Sequence, residues 1–348
     1  MRTFGKLVFL GVLGGVLVAP ADDVPSVVAF GSCAKESAKQ PIWEAVVAKD
    51  PGLFLFLGDN IYGDTDDMDV MRAKYAKLGA IAGYQKVKAR CRVLATWDDH
   101  DFGRNDAGAE YEHKVGSQKE LLRFFEEPED SPRWKREGVY GDWMFDGGEG
   151  RRLQVILLDT RYFRSRMVRV DKEKEKENYG PYTRNEAVGA TVLGGAQWAW
   201  LEEVLKKPAD LRLVGTSIQA VPDGHGWEKW GNFPAERERL FGLVKKTRAN
   251  GVVLLSGDRH LGEISVLAAE AGVGYPLYEV TSSGLTQAGG GRYEEPNEWR
   301  VNEIYRSRNF GTVRVDWDRG RVKLELWDVG GGLVNGVETS LDALRSGG

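Results

Sequence analysis

The chain has 348 residues, with 48 lysines and arginines against 52 aspartates and glutamates, for a formal net charge of −4. Hydrophobic residues make up 42% and charged residues 29%, which excludes disordered, collagen-like and multispanning membrane classes; so balanced a charge gives no sign of a nucleic-acid partner. Two cysteines cannot build a disulfide scaffold, whereas 44 glycines exceed the usual share of about 7% and predict many tight turns and loops, where catalytic residues tend to sit.

Met1 to Ala21 carries Arg2 and Lys6, an apolar run from Leu7 to Ala19 and then Ala19-Pro20-Ala21. This is the pattern of a secretory signal peptide. The run is shorter than the ~20 residues needed to span a bilayer. The expected organisation is therefore a signal peptide over 1–21 and a single domain over 22–348, with export through the general secretory route, since no twin-arginine pair is present. No later segment is long and apolar enough to span a membrane.

Short apolar runs ending in glycine, acid or polar residues follow. They are Ser26–Gly31, Gly52–Leu57, Arg92–Thr96, Leu153–Leu158, Leu211–Thr216, Gly251–Leu255, Leu277–Ser282, Gly311–Trp317 and Arg321–Trp327. Runs such as Leu53-Phe54-Leu55-Phe56-Leu57 are apolar on both faces, as in strands covered from both sides. The last two alternate around Asp318-Arg319-Gly320 and predict an antiparallel hairpin. Helical patterns over Pro41–Lys49, Asp69–Lys88, Ser117–Phe125 and Ala196–Lys206 lie between strands. Alternation early and a hairpin late predict an α/β domain with mixed sheets. Asp171–Asn178 mixes charge signs and predicts a solvated run.

The strand ends collect the groups that can do chemistry. In chain order they are Phe30-Gly31-Ser32-Cys33, Gly58-Asp59-Asn60-Ile61-Tyr62-Gly63-Asp64, Trp97-Asp98-Asp99-His100-Asp101 with Arg104-Asn105-Asp106, Asp159-Thr160-Arg161 and Ser256-Gly257-Asp258-Arg259-His260. Ligands of open α/β sheets bind outside the carboxyl ends of strands, so these groups converge on one crevice. A lone Gly-Asp-Asn is usually a turn. Four ionisable groups in a row, Asp98 to Asp101, repel one another unless a cation or a hydrogen-bond cluster compensates them. Two of the four histidines stand in these clusters. Cys33 follows the end of its strand while Cys91 enters the start of another; parallel strands would hold them ~15 Å apart, beyond disulfide reach. Cys33 is thus a candidate metal ligand and Cys91 a small buried filler.

These five motifs, in this order from Val27 to His260, resemble the alkaline phosphatase D (PhoD-like) family of calcineurin-like metallophosphatases, as does the segment Ser217-Ile218-Gln219 through Trp227-Glu228-Lys229-Trp230-Gly231-Asn232-Phe233-Pro234. The resemblance implies a four-layer α/β/β/α sandwich with two mixed β-sheets and hydrolysis of phosphate mono- or diesters. It also implies Fe(III) held by cysteine and tyrosine, with Ca(II) as partner metal; other divalent metals are an alternative. By position, Cys33, Asp59, Tyr62, Asp258 and His260 would surround the iron, and Asp59 would bridge to the second ion beside Asp99 and Asn105. Thiolate and phenolate suit a high-valent transition metal, and carboxylate and amide oxygens suit calcium. The chain departs from the family in lacking a twin-arginine signal, in its shorter length and in having Asp101 where glutamate is common.

His100, titrating near neutrality, is the candidate general acid or phosphate donor. Arg161 is a candidate phosphate clamp, with an ion pair to Asp159 or another acid as the equal alternative. His225, Trp227 and Trp230 read as pocket wall or as packing, and His113 as exposed. The expected partner is a phosphoester small molecule or a phosphate-containing polymer. A non-catalytic metal- or phosphate-binding protein and a phospholipid-directed phosphodiesterase are the competing functions.

Overall fold

The computed structural model describes residues 24–148, 150–289 and 295–347; the segment read as a signal peptide lies outside them. In chain order the elements begin β1 (Val27–Gly31), α1 (Ile42–Ala48), β2 (Leu53–Leu57), α2 (Met68–Gly79), α3 (Ala82–Arg90), β3 (Arg92–Thr96), α4 (Asp99–Phe102) and α5 (Lys114–Phe124). Next come β4 (Gly141–Asp146), β5 (Arg152–Leu157), a ribbon of β6 (Val168–Arg169) and β7 (Tyr182–Thr183), α6 (Gly194–Leu205), β8 (Leu211–Gly215), α7 (Pro234–Thr247) and β9 (Val252–Ser256). The chain closes with β10 (Gly262–Leu267), β11 (Leu277–Ser282), β12 (Arg300–Tyr305), β13 (Asn309–Asp316), β14 (Arg321–Asp328) and β15 (Leu333–Ser340).

One sheet has the order β15-β14-β13-β1-β2-β3 and the other β12-β10-β11-β9-β8-β5-β4. Both are mixed. β1, β2 and β3 run parallel while β13 joins β1 antiparallel; β5, β8, β9 and β11 run parallel and are flanked by antiparallel β4 and β10.

The two-residue period of a strand explains the layers. Phe30, Leu55 and Leu57 pack with Val155, Leu213 and Leu255 of the second sheet. Their sequence neighbours Ala29, Phe54 and Phe56 face the other way, onto Trp43 of α1, Tyr75 of α2, Tyr84 of α3 and Leu121 of α5. Helices α6 and α7 cover the second sheet through residues such as Trp198, Leu201, Leu240 and Val244. The result is the expected four-layer α/β/β/α sandwich. A strand buried on both faces has no polar side, which is why β2 reads as a continuous apolar run.

All nine anticipated strands are present, and β13 and β14 form the hairpin, with Asp316 paired to Arg321. The helix expected over Asp69–Lys88 is instead α2 and α3, because Ile81 takes extended backbone (ψ 115°) between them. Cys33 and Cys91 are both free thiols at opposite ends of the parallel strands. Cys91 is half-buried rather than a buried filler, since it sits past the end of α3 before β3 turns inward. Most of Asp171–Asn178 is exposed, as is His113. Among the described residues no helix is long and apolar enough to cross a membrane.

Candidate metal centre

The parallel strands of both sheets end at the same place. The hydroxyl of Thr96 at the end of β3 donates to the carbonyl of Leu158 beyond β5 at 2.7 Å. The Ser32 amide beyond β1 donates to the carbonyl of Ser282 at the end of β11 at 3.1 Å. Glycine permits this closeness. A Cβ on Gly257 would lie 2.5 Å from Ser32 Oγ, and one on Gly58 (φ +102°) would lie 2.5 Å from Asp98 Cβ. The residues that follow are forced into tight turns. Cys33 (φ 63°), Asp59 (φ 51°), Asp258 (φ 67°) and His260 (φ 54°) all hold left-handed backbone, a cost that persists in folded proteins where the surroundings impose it, chiefly at functional sites.

These turns aim side chains into a cleft of about 330 Å³ lined by Asp59, Asp99, His100, Asn105, Asp258 and His260, with Asp106, Trp227, Glu228 and Arg259 completing its walls. Cys33 Sγ, Asp59 and His260 present donor atoms within 4.8 Å of one another. Cys33 Sγ lies 3.3 Å from Asp59 Oδ2, and the Tyr62 hydroxyl lies 3.1 Å from His260 Nε2. Asp99 belongs to three more such groups, with Asp59 and His100, with Asp98 and Asp258, and with Asp106 and Glu228. Asn105 stands at the exposed rim of the cleft. Every sequence-derived metal candidate therefore comes to one place, although Asp258 stands with Asp98 and Asp99 rather than in the group of Cys33.

The donor set fits cations. Burial, reinforced by the charges of Cys33 and Asp99, pushes the Asp59 carboxyl well above its usual range. Burial likewise pushes the Cys33 thiol up to about 12, against the hydrogen bonds of Ser283 and Ser32. The Tyr62 phenol and the Asp258 carboxyl are raised for the same first reason. Burial lowers His260 to about 4, so it is a neutral donor at pH 7. Anionic ligands crowded in a buried place are stable when a cation supplies the missing charge. Asp99 is already held as the anion: burial opposes this, but Arg161, His100 and the Asp106 amide outweigh it.

The run Asp98 to Asp101 divides its work. Asp101 is fully buried and accepts from the backbone amides of Asp98 (2.7 Å) and Asp59 (3.1 Å). It fixes the Asp59 turn and is not in the cleft. Asp98 accepts from Arg161 Nε at 2.6 Å and from Ser217 Oγ at 2.5 Å. Compensation by a cation was thus required for fewer of these acids than the bare run implied.

Arg161 corrects the clamp reading. Its side chain is fully buried between Asp98 and Glu228, 2.6 Å from each, with Arg164 3.0 Å from the same glutamate. It ties the acid loop to the 217–233 segment from behind, and its backbone amide, not its guanidinium, is what meets Asp159. Of the three aromatic wall candidates only Trp227 lines the cleft. His225 is buried against Gln219 Oε1 at 2.9 Å, and Trp230 is buried with Nε1 donating to Thr216 at 2.9 Å.

His100 lines the cleft with Nδ1 2.7 Å from Asp64 Oδ1 and its ring tilted against Tyr62, centroids 4.1 Å apart. Burial works against its protonation, but the Asp64 hydrogen bond and the charges of Asp99 and Asp98 win, so its pKa is raised. Asp64, Asp106, Glu228 and Arg259 stand within the motifs named from sequence but received no role there, and Ser283 was not among them. Ser283 accepts from the His260 amide at 2.7 Å and lies 3.1 Å from Cys33 Sγ, orienting the thiol. Asp106 accepts from the Tyr182 hydroxyl.

A family model described as PhoD-like phosphatase matches residues 28–326. The chain belongs to the PhoD-like phosphatase family. Alkaline phosphatase D of Bacillus subtilis (strain 168) is 24% identical over 311 residues, which is 77% of this chain and 50% of that protein; this PhoD-like chain thus spans half the length of that curated relative. Among solved structures, PhoD superposes with a TM-score of 0.69 at 18% identity, covering 92% of this chain and 69% of that one. A dimetal phosphatase from Danio rerio gives 0.55 at 14% identity, covering 90% and 98%. A Plasmodium protein described as the anchor in the inner membrane complex gives 0.58 at 11%, covering 91% and 89%. These likenesses establish the shared fold.

Proposed function

We propose that the cleft hydrolyses phosphate esters with two bound cations. The observation that carries this reading is the convergence of Cys33, Asp59, Asp99, Asp258 and His260 at the strand ends in a chain of the PhoD-like family. Cys33, Asp59, Tyr62 and His260 would hold Fe(III), for which thiolate and phenolate are suited donors; Asp99, Asn105 and Asp258 would hold Ca(II), with Asp59 between the two. When bound, such ions supply positive charge to the phosphoryl oxygens and acidify an attacking water.

The chain's own residues do the rest. Asp64 engages His100 Nδ1, which leaves Nε2 to give a proton to the leaving-group oxygen. The Asp64 hydrogen bond that orients the ring also favours the protonated form of His100. No nucleophilic side chain is required, because phosphoryl transfer is accelerated mainly by positioning and charge. Substrates of this class are phosphoester small molecules or phosphate-containing polymers. We also read the protein as exported on the strength of its first 21 residues, which N-terminal sequencing of the mature protein tests.

The deciding experiment compares rates on bis-p-nitrophenyl phosphate, p-nitrophenyl phosphate, a nucleotide and a phospholipid, beside elemental analysis of protein from its native host. Turnover that depends on the metals supports the reading, and the ranking of rates names the substrate class. Loaded protein with no turnover on any of the four overturns it in favour of a binding protein.

A further inference from the structure

Five residues lining the cleft are acids, and Arg259 is the one permanent cation among the described lining residues. It stands between Asp258 and His260, so the left-handed turns that deliver those two ligands also deliver its side chain. Arg259 is only 6% exposed. Its Nη2 donates to Glu295 Oε1 at 2.8 Å, and its Nη1 lies 3.8 Å from Asp258 Oδ2. The guanidinium lies over the Trp227 ring, 5.0 Å from its centroid.

Its anchor is itself anchored. Glu295 is buried, and its carbonyl accepts from Arg300 Nη2 at 2.6 Å, while Arg300 Nε donates to Glu263 at 2.7 Å. A second observation concerns satisfaction. Arg259 Nε is buried without a hydrogen-bond partner, as are donors of Arg133, Arg136, Arg161 and Arg164, but of these only Arg259 lines the cleft. A fixed guanidinium fork with unused donors beside candidate metal ligands matches the tetrahedral oxygens of a phosphoryl group, which arginine binds through paired, charge-assisted hydrogen bonds.

We propose that Arg259, held by Glu295 and Trp227, binds a non-bridging phosphoryl oxygen of the substrate. This rests on the phosphoesterase reading and adds the residue that recognises the anion. Arg161, enclosed by Asp98 and Glu228, has no access to that role.

The test titrates inorganic phosphate into metal-loaded protein by calorimetry, beside steady-state kinetics on bis-p-nitrophenyl phosphate. In Arg259→Gln, the phosphate Kd and the KM should rise together by roughly ten- to a hundredfold, the scale of charge-assisted hydrogen bonds, with metal content unchanged. Arg259→Lys keeps the charge and loses the fork, so a smaller rise in the same two quantities is expected. It also serves as the readout if Arg259→Gln does not fold. Unchanged phosphate affinity in either folded variant overturns the proposal, as does a loss that merely follows lost metal, or a wild type that binds no phosphate. Phosphate binding that needs Arg259 in a wild type that hydrolyses no ester would instead overturn the phosphoesterase reading alone.

Discussion

Asp98 and Asp99 are neighbours in sequence with opposite surroundings. Asp98 has its Oδ1 held behind the cleft by Arg161 and Ser217, although it also stands within reach of Asp99 and Asp258. Asp99 faces the cleft with Asp59, Asp106 and Asp258, where acids outnumber protein cations. Behind the cleft, Arg161 and Arg164 are matched to Asp98 and Glu228, although Glu228 also lines the cleft. The front layer is left open, and that excess of negative charge is what qualifies it to take cations. A buried acid is therefore informative only together with what compensates it.

The largest expected effect breaks the front layer. Asp59→Asn removes the carboxylate shared by the Cys33 group and the Asp99 group. Turnover should fall by on the order of 10³-fold or more, as when a principal source of transition-state charge stabilisation is lost, with circular dichroism unchanged and metal content reduced. Wild-type rates with full metal content would sink the assignment. His100→Ala should cost ~10²–10⁴ in turnover, the usual worth of a positioned acid. The loss should be smaller for a p-nitrophenyl leaving group, which needs little protonation. Equal losses on nitrophenyl and alkyl esters would reassign His100 to phosphate binding.

Breaking the rear layer should produce a different signature. Arg161→Met leaves Asp98 without its arginine and Glu228 with Arg164 alone, and removing one partner of a buried pair costs about 3–5 kcal/mol of stability. Chemical denaturation measures it, and adding Asp98→Asn with Glu228→Gln should recover part of the loss. A raised KM with unchanged stability would restore Arg161 as a substrate clamp.

The contrast also shows what was legible in the sequence. Strands buried on both faces leave unbroken apolar runs, so β1, β2, β5, β8 and β9 were plain, as was the inner half of edge strand β3, and their polar ends marked the cleft. Burial alone did not decide legibility: β10 is buried yet was not anticipated, whereas β14, with one exposed face, was, through its alternation. β12 (Arg-Val-Asn-Glu-Ile-Tyr) and β15 (Leu-Val-Asn-Gly-Val-Glu-Thr-Ser) carry too few apolar residues to stand out. The division of labour within Asp98 to Asp101 was hidden for another reason. It is decided by partners far along the chain, such as Arg161, Ser217 and Glu228, and by which way a four-residue helix turns each carboxylate. Ser283, 250 residues from the Cys33 it touches, left no local signal at all.

A third buried acid sharpens the comparison, because among the described residues it makes no ion pair and has no place in the cleft. Glu279 on β11 is almost fully buried, and its carboxylate accepts from the backbone amides of Ala220 (3.0 Å) and Val221 (2.5 Å), at the start of the segment that carries Trp227 and Glu228. Burial raises its pKa to about 7, only partly offset by those amides and by Ser256. A carboxyl whose folded pKa lies above its unfolded value of 4.5 binds its proton more tightly when folded. Its contribution to stability is complete below about pH 4.5 and is lost as pH rises through about 7. A shift of that size corresponds to something on the order of 3 kcal/mol. Glu279→Gln stays neutral at every pH, so denaturation of the metal-loaded protein at pH 5 and pH 8 should show a flatter decline than wild type. The other buried acids are common to both proteins and cancel in the difference. Parallel pH profiles would mean that the backbone amides alone hold Glu279 ionised, and that dipoles serve here as fully as Arg161 serves Asp98.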